Sequence, residues 1–128
     1  MTIQLVFDIA PLPKERPRFS TRGGQVRTYT PSKTVAFESF IARSAKAQLL
    51  KLKPITGLIS ASLFFEFKRP KRTKLLTPKK DIDNLCKSVL DALNGVLFVD
   101  DTQVVDLLAN KKWSDRDRIT LVVNEVFT

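Results

Sequence analysis

The sequence predicts an α+β fold: a mostly antiparallel or mixed four-stranded sheet with two helices packed on it, in one domain spanning residues 1–128. Three observations predict it. Four segments alternate apolar and polar residues or form short β-branched and aromatic runs. Two others repeat apolar side chains at spacings of three and four. Their order is strand, hairpin or loop, helix, strand, basic loop, helix, strand, strand. A length of 128 residues with 43% hydrophobic content allows one modest core. At this size much surface stays exposed, so dimerisation would add stability.

Each element has its own signal. In residues 2–9, Ile3, Leu5, Phe7 and Ile9 alternate with Thr2, Gln4, Val6 and Asp8, which predicts a half-buried strand ended by Pro11 and Pro13. Residues 14–30 have no apolar period and contain Gly23-Gly24, so they read as a hairpin or loop, strand-like near residues 25–29. Thr30 is expected as the N-cap and Pro31 as the first residue of a helix. Its apolar face carries Phe37, Phe40, Ile41, Ala45, Gln48, Leu49 and Leu52; Lys51, Lys53 and Pro54 end it. Residues 57–67 are a buried strand by their β-branched and aromatic content.

Residues 68–80 hold seven basic side chains in thirteen positions, and two prolines make them an exposed loop. A second helix runs from Asp83 to Asn94, with Leu85, Val89, Leu90 and Leu93 facing the core, Cys86 beside them and Asn94-Gly95 as the stop. Leu97 to Asp101 turns into a strand over about residues 103–111. A polar turn at residues 114–117 leads to the last strand at 118–127.

Charge is distributed unevenly. The net charge is +9. Residues 1–80 carry 17 basic and 4 acidic side chains, whereas residues 81–128 carry 5 basic and 9 acidic ones. A basic body beside an acidic cluster suggests a polyanion brought to a metal. Histidine is absent, which excludes Ser-His-Asp triads, His-based acid–base catalysis and the usual zinc catalytic sites. The single cysteine, Cys86, permits no internal disulfide and fits a reducing, cytoplasmic compartment. No apolar run is long enough to span a membrane, and the N-terminus lacks the basic-then-apolar pattern of a signal peptide.

The chemistry is concentrated in residues 81–106, DIDNLCKSVLDALNGVLFVDDTQVVD. Asp81 and Asp83 flank Ile82 just before the helix. In an extended stretch both carboxylates would point one way while Ile82 turns to the core. A return of Asp100-Asp101 along the sheet would add a third carboxylate. Three converging carboxylates form a hard oxygen site for Mg²⁺ or Mn²⁺, suited to phosphodiester hydrolysis. Lys87, four residues after Asp83, is placed to steady a carboxylate or to meet the scissile phosphate. Each feature also has a plain explanation. Asp83 is a good N-cap, Lys87 with Asp83 or Asp91 makes an ordinary surface pair, and Asp100-Asp101 suits a turn.

These residues resemble the RusA-type Holliday junction resolvases. That family opens a helix with Asp-x-Asp-Asn-x-x-Lys, continues with Asp-Ala-Leu and returns with Asp-Asp-x-Gln-Val, as DIDNLCK, DAL and DDTQV do here. Glu15-Arg16-Pro17-Arg18-Phe19 is similar to its GRPRF-like N-terminal segment, with Glu15 where Gly is common. The resemblance implies a homodimeric α+β nuclease that uses Mg²⁺, with Mn²⁺ as a substitute, and makes paired symmetrical nicks in four-way DNA junctions. Carried over by position, Asp81, Asp83 and Asp101 are the metal-holding acids, Lys87 is the essential basic residue and Asp100 is secondary. The basic loop is longer here than the family leads one to expect.

Phosphate contacts are expected from Arg16, Arg18, Lys68, Arg69, Lys71, Arg72, Lys79, Lys80, Lys111 and Lys112. Phe19, Tyr29 and Trp113 are candidates for stacking on an exposed base or for plain packing. Two other functions remain open: a non-catalytic nucleic-acid-binding module, and a metal-dependent nuclease acting on flaps, tails or RNA.

Overall fold

The computed structural model describes residues 1–15, 18–20, 24, 27–29 and 32–127. Its elements are β1 (Thr2–Phe7), β2 (Arg18–Ser20), β3 (Arg27–Tyr29), α1 (Ser32–Leu49), β4 (Ile59–Lys68), α2 (Ile82–Leu93), a 3-10 turn (Asp101–Gln103), β5 (Val104–Ser114) and β6 (Arg118–Glu125). The fold class follows the expectation from the sequence. Four strands form one mixed sheet in the order β1-β6-β4-β5, and β2 pairs with β3 as a small antiparallel hairpin. The expected N-cap Thr30 and first helical residue Pro31 lie outside the described residues.

β1 pairs antiparallel with β6, and β6 antiparallel with β4. β4 and β5 are parallel, because the chain crosses through α2 between them. Alternation assigns the faces: Ile59, Ala61, Leu63, Phe65 and Phe67 of β4 are buried, as are Leu5 and Phe7 of β1 and Ile119, Leu121 and Val123 of β6. This inner face meets a stripe of α1 at four-residue spacing, Phe37, Ile41, Ala45 and Leu49, and most of α2. Leu52, expected on the core stripe, is 53% exposed because α1 has already ended at Leu49.

The two sheet edges differ. On β1, the Gln48 side chain accepts the Val6 N–H at 2.9 Å and donates to the Val6 carbonyl at 2.7 Å. An amide on α1 thus supplies the pairing that a neighbouring strand would give. On the far edge, β5 leaves Val105, Leu107 and Leu108 exposed.

Helix ends follow local chemistry. Gly95 takes φ +77° after α2, a left-handed conformation that suits glycine. α1 reaches the same region with a non-glycine residue, Leu50, at φ +57°.

Candidate metal centre and nucleic-acid interface

α2 begins one residue earlier than expected. Asp81 is the N-cap position, in extended backbone and with no capping hydrogen bond from its side chain, and Ile82 is already helical. The extended-chain argument for Asp81 and Asp83 therefore fails, since a helical Ile82 breaks the two-residue repeat. The plain reading of Asp83 as the N-cap fails too; Asp83 lies in the first helical turn. There its charge still suits the positive end of the helix.

Helical spacing brings Asp83 and Lys87 to one side of α2, where they line a pocket of about 390 Å³ with Asp101. The remaining wall is Ile82, Cys86, Leu90, Leu107 and Ala109. The pocket thus lies between α2 and β5, with charged groups set against apolar surface. Asp81 is exposed and is not on this wall.

The Asp100–Gln103 turn explains how Asp101 gets there. Asp100 caps the 3-10 turn, accepting from the Thr102 hydroxyl at 2.7 Å and from the Thr102 N–H, which holds its carboxyl below the ordinary range. Gln103 completes the capping box by accepting the Asp100 N–H at 2.8 Å. The Gln103 amide also donates to the carbonyls of Ile55 and Gly57, both at 2.8 Å. Asn94, at the end of α2, accepts the Asp101 N–H at 2.8 Å. The Asp100 side chain is thereby occupied with the turn, while Asp101 faces α2.

Asp91 is a further acid near the pocket. Its carboxylate lies 3.6 Å from the Lys87 ammonium and 3.4 Å from that of Lys14. Lys14 is also paired with Glu38 of α1, and its backbone N–H donates to the Asn84 carbonyl at 3.0 Å. Burial works against the Lys14 charge, but Glu38 and then Asp91 outweigh it and raise its pKa. For Asp101, burial and the neighbouring charges of Asp100 and Asp91 raise the carboxyl, a hydrogen bond with the Asp91 side chain adds to the rise, and Lys87 opposes it. Burial, then the charge of Asp83, pushes the Cys86 thiol up to about 11.

Among the described residues, no group of three or more Asp, Glu or Cys side chains stands ready to hold a metal ion. Mg²⁺ does not require such a cage, since it usually keeps several waters and takes one or two carboxylates plus substrate phosphate. Asp83 and Asp101 fit that pattern: both are hard oxygen donors on one pocket, and Asp101 is crowded by like charge that a cation would relieve.

The basic loop is tethered along β5. The Lys68 and Arg69 N–H groups donate to Asp117 Oδ1 at 2.8 Å and to the Ser114 carbonyl at 3.0 Å. Trp113 Nε1 donates to the Leu75 carbonyl at 2.9 Å, and Lys111 Nζ to the Lys80 carbonyl at 2.7 Å. Lys68, Arg69, Lys71, Arg72, Lys79, Lys80 and Lys112 are exposed. Lys111 spends one donor on the tether. Trp113 also packs edge-to-face on Phe67, so it is a packing residue here and not an open stacking platform. Arg16 lies outside the described residues, and the side chains of Arg18, Phe19 and Tyr29 do as well.

Sequence reasoning missed four residues that build the site: Lys14, Asp91 as a link to Asp101, Asn94 and Gln103. The Asp-x-x-Gln spacing was a readable capping signal for Gln103. Lys14 carried no local signal, because its partners lie on two different helices.

Comparison with known proteins shows which family the chain resembles. An uncharacterized protein of Bacillus subtilis strain 168, YqaN, is 35% identical over 91% of this chain and 91% of its own length. A Lactococcus phage r1t protein named crossover junction endodeoxyribonuclease rusA is 34% identical over 65% of this chain and 70% of its own. The family model described as Endodeoxyribonuclease RusA matches residues 8–124, which take in the Asp83, Lys87 and Asp101 pocket, and the chain belongs to the RusA endodeoxyribonuclease family.

Proposed function

We propose that this enzyme is a Mg²⁺-dependent, structure-selective endonuclease that resolves four-way DNA junctions by paired symmetrical nicks, working as a homodimer in the cytoplasm. The observation that carries the reading is one pocket lined by Asp83, Lys87 and Asp101. The basic loop of residues 68–80 runs directly into the helix that supplies two of them.

Asp83 and Asp101 would hold the cation, joined by Asp81 from the adjacent N-cap when substrate is bound; Mn²⁺ satisfies the same donors. The metal would supply charge neutralisation at the phosphate and lower the pKa of a bound water. Lys87 lines the same pocket and is 61% exposed, so its ammonium is available to a phosphate oxygen that gains charge during cleavage. Lys68, Arg69, Lys71, Arg72, Lys79, Lys80 and Lys112, with Lys111, Arg16 and Arg18, would neutralise phosphates along the junction arms.

Two symmetrical nicks call for two active sites related by a two-fold axis. The open edge of β5, with Val105, Leu107 and Leu108 exposed, supports pairing of two copies.

The test is a gel assay comparing a synthetic mobile four-way junction with a linear duplex, a flap and an RNA duplex, all with Mg²⁺. Selective, symmetrical nicking of the junction is expected, and Asp83→Asn should bind it without cutting. Equal cutting of the linear duplex, or normal nicking by Asp83→Asn, refutes the proposal.

A further inference from the structure

We propose that Leu76, supported by Leu75, is an apolar wedge that enters the bases of branched DNA at the crossover. This inference rests on the junction reading above and adds a recognition element to it.

Leu76 is 98% exposed, and Leu75 beside it is 40% exposed. Isolated exposed leucines are ordinary on protein surfaces. This one is distinguished by its setting. It lies in a loop with seven cations and no acid, five residues ahead of Asp81. The loop is also held in shape: the Leu75 carbonyl accepts from Trp113 Nε1, the Leu75 N–H donates to Thr73 Oγ1 at 3.2 Å, and Thr73 N–H reaches the Pro70 carbonyl at 3.4 Å. The backbone at Leu75 is thus tied to β5 while the next side chain projects into water.

A pinned loop presents its tip at little further entropic cost on binding. Its cations match a phosphate backbone, and its apolar tip matches the largest apolar surface DNA can offer, the faces of bases. In a continuous duplex those faces are stacked and closed. At a branch point stacking is already interrupted, so insertion of a leucine costs less there. The tip would therefore discriminate by DNA shape, whereas the cations grip any duplex. A basic loop with exposed leucines also suits an anionic membrane surface. The loop's direct continuation into the Asp83 and Lys87 helix favours DNA.

The experiment uses the full chain in EDTA, with 2-aminopurine at the crossover of a four-way junction and a linear duplex of the same arm sequence. Wild type should bind the junction more tightly and brighten the probe as the base unstacks. Leu76→Ala should lose about tenfold in junction affinity, the worth of burying most of a leucine, and most of the brightening, while duplex affinity stays the same. Leu76→Met should keep both, and because the side chain is exposed both variants should melt like wild type. Unchanged junction affinity and probe signal in Leu76→Ala overturns this inference alone. So does vesicle binding by the wild type to phosphatidylglycerol that Leu76→Ala abolishes with junction binding intact. A wild type with no preference for the junction refutes the junction reading and the wedge with it.

Discussion

Replacing Lys14 by methionine removes one ammonium that joins α1 to α2 and keeps the aliphatic stem. In the native chain that group is 22% exposed and faces two carboxylates, Glu38 at 29% and Asp91 at 21% exposure. Removing one partner from a fully buried ion pair costs about 3–5 kcal/mol, because the remaining charge is stranded. Exposure of a fifth to a third lets water solvate the stranded acids, which reduces the expected loss to about 2 kcal/mol. For a chain of this size that corresponds to a fall of about 8 °C in Tm. The pKa of Lys14 is raised on folding, so its stabilising contribution is present below the ordinary lysine value of 10.5 and disappears as pH rises through the raised value. The assay is thermal unfolding by circular dichroism from neutral pH to above 10.5, for wild type, Lys14→Met, Glu38→Gln and the double variant. The gap between wild type and Lys14→Met should persist to mildly alkaline pH and close beyond it, and the cycle should show coupling between Lys14 and Glu38. A Lys14→Met protein that melts within 2 °C of wild type, as an exposed pair worth a few tenths of a kcal/mol would allow, together with no coupling, refutes the argument.

Gln103→Ala removes three hydrogen bonds around the turn that presents Asp101. It should cost about 1.5–3 kcal/mol by denaturant unfolding and weaken Mg²⁺ binding at the proposed site by calorimetry; unchanged metal affinity would show that the turn does not position Asp101 for the metal. Cys86 is 5% exposed with its thiol pushed up to about 11, so native protein should label slowly with a thiol reagent at pH 7 and fully once unfolded. Fast labelling of the folded chain would contradict that burial. Leu50 combines φ +57° with 83% exposure, so Leu50→Gly relieves strain without loss of packing and should stabilise the protein by about 0.5–1 kcal/mol, readable as a higher Tm.

Most elements and their buried faces were legible in the amino-acid order, because alternation in strands and the three-to-four spacing in helices are local properties. Leu85, Val89 and Leu93 on α2 and Ile119, Leu121 and Val123 on β6 are cases where the period alone names the buried residue. The chemistry of the acids, the turn at Asp100 to Gln103 and the glycine that ends α2 are equally local. Which parts meet is not. Parallel pairing of β4 with β5, the approach of Asp101 to Asp83 and Lys87, and the placement of Lys14 between Glu38 and Asp91 join residues far apart in the chain. The two-residue repeat says which face a strand buries but not which strand lies beside it. Asp81 shows the limit from the other side: moving the start of a helix by one residue changed where its carboxylate stands. Trp113, a stacking candidate by residue type, became a tether because the fold brought the Leu75 carbonyl to its indole N–H.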